Sequence, residues 1–203
     1  MTIRQILAKS FSVVFHPFLI PSYGFLLLMN SGFYFSMLSF EVKKFIFLIV
    51  VLSTFMLPAI SLVLLSLNSR FDPKMEKSTD RVFPLLFSSV YYFLGYYFLG
   101  KAPIYPIYRI FLISTILIII LLMLISLKWK ISNHMAGIGG LIGAVLALSF
   151  RLGMNSSLLL ALLIIIAGIT ATSRLLLKKH NPYQIYAGFI LGFAVNYLVL
   201  TLI

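Results

Sequence analysis

Residues 110–127 read Ile-Phe-Leu-Ile-Ser-Thr-Ile-Leu-Ile-Ile-Ile-Leu-Leu-Met-Leu-Ile-Ser-Leu, without a charge, a glycine or a proline. As a helix rising 1.5 Å per residue, such a block nearly crosses a hydrocarbon layer about 30 Å thick. Lys128-Trp129-Lys130 then closes it with the basic and aromatic residues that favour a membrane interface. Inside lipid no water can satisfy the backbone, so a lone apolar block of this length must be helical. The reading extends in both directions. Apolar blocks recur at about 22–39, 45–67, 83–99, 107–127, 135–150, 158–173 and 183–203. The chain is 62% hydrophobic and 10% charged, against about 25% charged in soluble domains. The expected fold is all-α: a polytopic membrane helical bundle of about seven spans. It forms one domain over 1–203, with two N-terminal spans at about 22–67 and a core at about 68–203.

The net charge is +12, from 16 Lys and Arg against four carboxylates. In a soluble chain this would suggest nucleic acid. Between apolar blocks it reads instead as basic loops meeting anionic head groups, so no nucleic-acid partner is expected. There is no cysteine, which excludes disulfides and thiolate metal sites. No small-residue cleavage site follows the first block, which is therefore not read as a removable leader. Residues 1–15 read as a short amphipathic lead-in. His16, beside Pro17, reads as a packed interfacial residue. Asn181-Pro182 is a helix start, an Asn cap followed by Pro at the first helical position. Ala136, Gly140 and Ala144 form one row of small residues, and Gly188 and Gly192 another, the spacing that lets helices approach closely in lipid.

Counting crossings places the polar stretches. The N-terminus, 68–81, 128–134 and 174–181 are each two crossings apart and share a face. The turns at 41–44, 100–106 and 151–157 face the other way. Polar residues rich in Lys, Arg, His and Ser at one end of a bundle are candidates for an anion site. Lys74 and Arg81 are separated by six residues, with Pro84 nearby. Ser132-Asn133-His134 is the second element. Ser173-Arg174 and, after five residues, His180 form the third. Cations fixed around a phosphoryl group can stabilise the charge spread over its oxygens. A histidine can attack phosphorus, and another can protonate the departing alcohol.

Over residues 74–184 this pattern resembles the type 2 phosphatidic acid phosphatase and vanadium haloperoxidase superfamily. The family motifs read Lys-x6-Arg-Pro, Pro-Ser-Gly-His and Ser-Arg-x5-His-x3-Asp. The resemblance implies a membrane lipid phosphatase needing neither cofactor nor metal. His180 would be the nucleophile and His134 the general acid. Lys74, Arg81, Ser132, Asn133 and Arg174 would hold the substrate phosphate. A phosphomonoester or pyrophosphate of the phosphatidic acid, phosphatidylglycerol phosphate, polyprenyl pyrophosphate or lipid A type would suit.

The sequence departs from the motifs in three places. Pro84 is displaced by two, which leaves Lys74 and Lys77 as alternatives. Asn133 replaces a glycine, and is among the few residues that tolerate a left-handed backbone. Gln184 stands where the family has the Asp that orients His180. It can accept a hydrogen bond without contributing charge, and it also fits a capping box. A catalytically weak or inactive relative that binds lipid phosphate, or serves as a complex partner, is therefore the alternative. A transporter would need polar residues at mid-span, and Asn30, Ser114 and Asn196 are few. Asp72, Glu76 and Asp80 read as partners of nearby Lys and Arg rather than as a metal site.

The expected partners are the lipid phosphate and bilayer lipids, with a homo-oligomer left open. The expected location is a cell membrane, bacterial inner membrane by resemblance, crossed several times. Eleven Lys and Arg lie on the motif side and five opposite, which favours a cytoplasmic motif face. Many bacterial relatives face the periplasm, and the orientation stays open.

Overall fold

The structure is a computed structural model and describes residues 2–30, 38–68, 71–72, 75–102 and 104–203. Those residues form α1 (Ile3–Val14), α2 (Ile20–Asn30), α3 (Phe40–Val51), α4 (Leu57–Ser66), α5 (Val82–Leu99), α6 (Pro106–Ser126), α7 (Asn133–Leu152), α8 (Ser157–Leu176) and α9 (Pro182–Leu202). No strand occurs among the described residues. Among the described residues, six helical stretches are long and apolar enough to cross a membrane: Phe40–Ser66, Thr79–Leu99, Pro106–Ser126, Asn133–Leu152, Ser157–Leu176 and Pro182–Leu202. The remaining expected span, about 22–39, begins in α2 and continues into 31–37, outside the described residues.

The chain divides into two compact units, Met1–Ile20 with Trp129–Ile203, and Pro21–Lys128. In the second unit α3 and α4 run on through a wider π-helical turn at Leu52–Met56. The cause is Pro58, which has no N–H to donate to the carbonyl four residues back. That carbonyl belongs to Thr54, and it accepts the Tyr92 hydroxyl proton at 3.2 Å. The Thr54 hydroxyl lies 3.5 Å from that of Ser22. Gly95 lets α5 approach closely, because a Cβ there would meet the Ser53 side chain. Phe25 packs between Tyr108 and Phe111, with ring centroids at 5.8 and 5.4 Å. The sequence suggested a polar turn at 41–44, but these residues are helical. Ser39 caps α3 by accepting the Val42 N–H, and Glu41 complements the positive helix start.

The first unit is built on α7 and α9, which lie together along most of their length. A Cβ at Gly192 would meet the backbone of Ala136 and Gly140, and one at Gly188 would come within 2.5 Å of the Ser132 carbonyl oxygen. Gly139 and Gly143 face the Phe189 and Phe193 carbonyls in the same way. The two rows of small residues thus meet each other. Asn196 donates to the Gly140 carbonyl at 2.9 Å, tying the helices where both are buried. The N-terminal α1, with its capping box of Thr2 and Gln5, packs on α8.

Candidate functional site

Two helix starts and one helix end deliver the polar residues of the first unit. Ser132 caps α7 and is fully buried; its hydroxyl accepts the Met135 N–H at 3.5 Å. Its own N–H donates to the Gln184 carbonyl at 3.2 Å, so the starts of α7 and α9 adjoin. Asn133 and His134 are the first two helical residues of α7. Asn133 is therefore right-handed helical, and the left-handed conformation suggested by the missing glycine is not used. An Asn cap position would favour extended backbone, but Ser132 has taken that role and Asn133 sits one step inside.

The five-residue gap between Arg174 and His180 is explained by local backbone rules. Arg174 lies in the last turn of α8, and Leu177 is its C-cap. Lys178 follows with φ 52°. The Lys179 N–H donates to the Arg174 carbonyl at 3.1 Å, and the Lys178 N–H to the Leu175 carbonyl at 2.9 Å. This Schellman turn reverses the chain. Asn181 then caps α9, with Pro182 at the first helical position and Gln184 closing the capping box. His180 is held in the short link between these two devices and is buried.

Gln184 fills both roles that its position suggested. Its Oε1 accepts from the Asn181 N–H at 3.3 Å and from His180 Nδ1 at 2.9 Å. An amide oxygen only accepts, so the His180 proton is on Nδ1 and the lone pair on Nε2.

His134 points its Nε2 at the Ser12 carbonyl of α1, 3.1 Å away. Its ring stands edge to face with His16, centroids 5.5 Å apart at 79°. Arg174 is within electrostatic reach of both rings, and His180 of His134. The structure therefore brings Arg174, His134 and His180 together with Gln184, Ser132 and Asn133, and adds His16. Burial first, and then the Arg174 charge, push the His16 pKa down to about 4. His16 is neutral at pH 7, and its Nδ1 accepts the Phe18 N–H at 3.3 Å. Reading His16 as an interfacial packing residue missed this placement. The proline-flanked joint after an amphipathic helix was the one sequence signal for it.

Two polar atoms of the cluster, Arg174 Nε and Asn133 Oδ1, are buried with no hydrogen-bond partner among the described residues. No aspartate or glutamate occurs in Met1–Ile20 or Trp129–Ile203, against seven Lys and Arg. Among the described residues no three His, Asp or Glu are grouped to hold a metal ion. The arrangement suits an anion with several acceptor oxygens, for which Arg offers directed N–H donors.

The first motif lies in the other unit. Lys74 is outside the described residues. Lys77 is exposed, and its backbone N–H donates to Asp80 at 3.2 Å. Arg81 is buried at the end of a 3₁₀ turn, Thr79–Arg81. Asp72 similarly accepts the Glu76 N–H at 3.3 Å. Asp72 and Asp80 thus shape local turns.

Residues 126–203 match the family model of the PAP2 superfamily. The matched segment runs from the end of α6 to the end of the chain and contains both histidine motifs. The resemblance carried by Ser132-Asn133-His134 and Ser173-Arg174-x5-His180 is to this superfamily, whose members are phosphatases. No curated protein and no solved structure matches the chain. The PAP2 match and the six apolar helices support a membrane protein of phosphatase type.

Proposed function

We propose that this chain hydrolyses a phosphomonoester or pyrophosphate on a membrane lipid through a phosphohistidine at His180. The observation that carries the reading is Arg174. Its half-buried side chain, with a buried Nε unpartnered among the described residues, lies within electrostatic reach of His134 and His16 in a unit with no acidic side chain. A lipid phosphate supplies the missing negative charge.

In the first step His180 Nε2 forms a bond to phosphorus as the bond to the lipid oxygen breaks. His134, in its protonated form, gives a proton to that oxygen. In the second step water attacks phosphorus, the N–P bond breaks, and His134 takes the water proton. Arg174 and the first N–H groups of α7 hold the equatorial oxygens, where charge concentrates in the transition state. The Asn133 amide, turned by half a rotation, donates to the same group. Gln184 keeps His180 in the attacking tautomer. Lys74, or Lys77 in its place, and Arg81 are assigned to phosphate binding by resemblance alone. The protein crosses a cell membrane several times, and its substrate reaches the site from the bilayer.

Gln184 favours a second reading, a relative that binds lipid phosphate but turns it over weakly. One experiment separates the two. Phosphate release is measured from vesicles containing phosphatidic acid, phosphatidylglycerol phosphate or a polyprenyl pyrophosphate, for the wild type and His180→Ala. Release by the wild type alone, with acid-labile phosphate trapped on the protein, supports the enzyme. Equal background release by both proteins leaves the binding module.

A further inference from the structure

The three family motifs give His180 an orienting partner in Gln184, but none to His134. We propose that the N-terminal segment Ser12–His16 is the positioning element for His134: the Ser12 carbonyl fixes its tautomer and His16 braces its ring. This rests on the reading of His134 as the general acid.

The Ser12 carbonyl can only accept, so the hydrogen bond at 3.1 Å puts a proton on His134 Nε2. Nδ1 is then the atom that exchanges a proton with the leaving oxygen. The Ser12 carbonyl is well suited to the task. It lies in the last turn of α1, where carbonyls lose their intrahelical partners. Its neighbours are satisfied locally, Phe11 by the Phe15 N–H at 3.0 Å and Val13 by the His16 N–H at 3.2 Å. His134 takes the carbonyl between them. Ala8 and Ser12 are buried on α1, which packs on α8, so the helix end that presents this carbonyl is held in place.

His16 is itself held from two directions. Its Nδ1 accepts the Phe18 N–H, and its ring meets that of Phe18 at 4.7 Å and 71°. Beyond it Ile20 lies over Gly137, where a Cβ would come within 3.3 Å of the Ile20 side chain. The segment Ser12–Ile20 thus meets α7 at His134 and again at Gly137. An aromatic ring of the same size would fill the space but could not accept from Phe18. An asparagine would keep the acceptor and lose only part of the ring contact.

The test uses the full-length protein and two substrates presented in the same micelles, an alkyl phosphate and a p-nitrophenyl phosphate. The alkoxide needs a proton to leave, whereas the nitrophenolate does not. His16→Ala is expected to lose about tenfold or more on the alkyl ester and roughly twofold on the aryl ester, a fraction of the general-acid contribution. His16→Asn is expected to recover most of the loss, and His16→Phe little of it. Equal losses on both esters would make His16 merely structural and overturn the proposal. If His134→Ala shows no preference between the esters, the general-acid assignment itself fails, a separate result. Imidazole ¹⁵N spectra of His134 need no turnover. The Nε2–H tautomer in the wild type and mixed tautomers in His16→Ala are expected; an unchanged His134 signal in the variant would also overturn the proposal.

Discussion

Replacing Gln184 with glutamate changes one atom and one charge at the hydrogen bond that orients His180. Oε1 lies 2.9 Å from His180 Nδ1 and 3.3 Å from the Asn181 N–H, and glutamate can make both contacts. It is also a preferred capping-box residue, and its charge suits the start of α9, so the fold is retained. Under the proposed mechanism the difference appears when His180 attacks phosphorus and its ring becomes cationic. A unit charge about 4 Å from the ring is worth about 1 kcal/mol at the dielectric of water and about 4 kcal/mol at an effective value near 20. Gln184 is half-buried and His180 buried, so about 1–3 kcal/mol is expected. At about 1.4 kcal/mol per tenfold, kcat for lipid phosphate hydrolysis should rise roughly 5- to 150-fold, read at saturating substrate with trapped phosphohistidine alongside. Gln184→Ala should fall below the wild type. A Gln184→Glu protein that melts like the wild type but turns over no faster would refute a cationic His180 intermediate.

Four further outcomes are expected. Tyr92→Phe leaves the Thr54 carbonyl, already deprived by Pro58, without its donor, and should lower stability in detergent by about 1–3 kcal/mol in a denaturant titration. Lys178→Gly relieves a left-handed backbone at an exposed position and should raise stability by about 1 kcal/mol without changing hydrolysis; a lowered melting temperature would contradict the Schellman turn. Gly192→Leu drives a side chain into the Ala136 and Gly140 backbone, and should abolish hydrolysis together with the α7–α9 packing, read by melting and activity. His16 stays neutral in the fold down to about pH 4, whereas the unfolded chain protonates it near 6.5. The native state should therefore lose stability as pH falls through that window, by up to about 3 kcal/mol. His16→Asn should flatten this slope, and an identical slope in both proteins would argue against a buried neutral His16.

Much of this was legible because it is local. The span around 107–127 is decided by a run of apolar residues that only a helix can carry through lipid. In the link Arg174–Gln184 the capped start at Asn181-Pro182 was readable locally, whereas the turn before it was not, because its left-handed residue is Lys178 rather than a glycine. The meeting of α7 and α9 was visible as two rows of small residues, which have little use unless backbones touch. What was hidden depends on distant pairing. The Ser12–His134 bond joins residues 122 positions apart, and nothing in the composition of 1–15 says which helix it covers. Lys43 and Lys44 looked like a turn because of their charge, whereas the Ser39 cap places them inside α3. Asn133 was judged by the glycine it replaces, while its conformation follows from Ser132.

The lack of any acidic side chain in the histidine-bearing unit has a consequence for the catalytic cycle. Such a site has nothing of its own to displace the last ion bound there. Inorganic phosphate, the product of the proposed reaction, carries the same oxygens as the substrate and would meet the same guanidinium. Under the proposed mechanism its departure would set the ceiling on throughput, and accumulating phosphate would slow the reaction. Salt that screens Arg174 would speed product escape while loosening the grip on the next lipid, so activity should peak at an intermediate ionic strength.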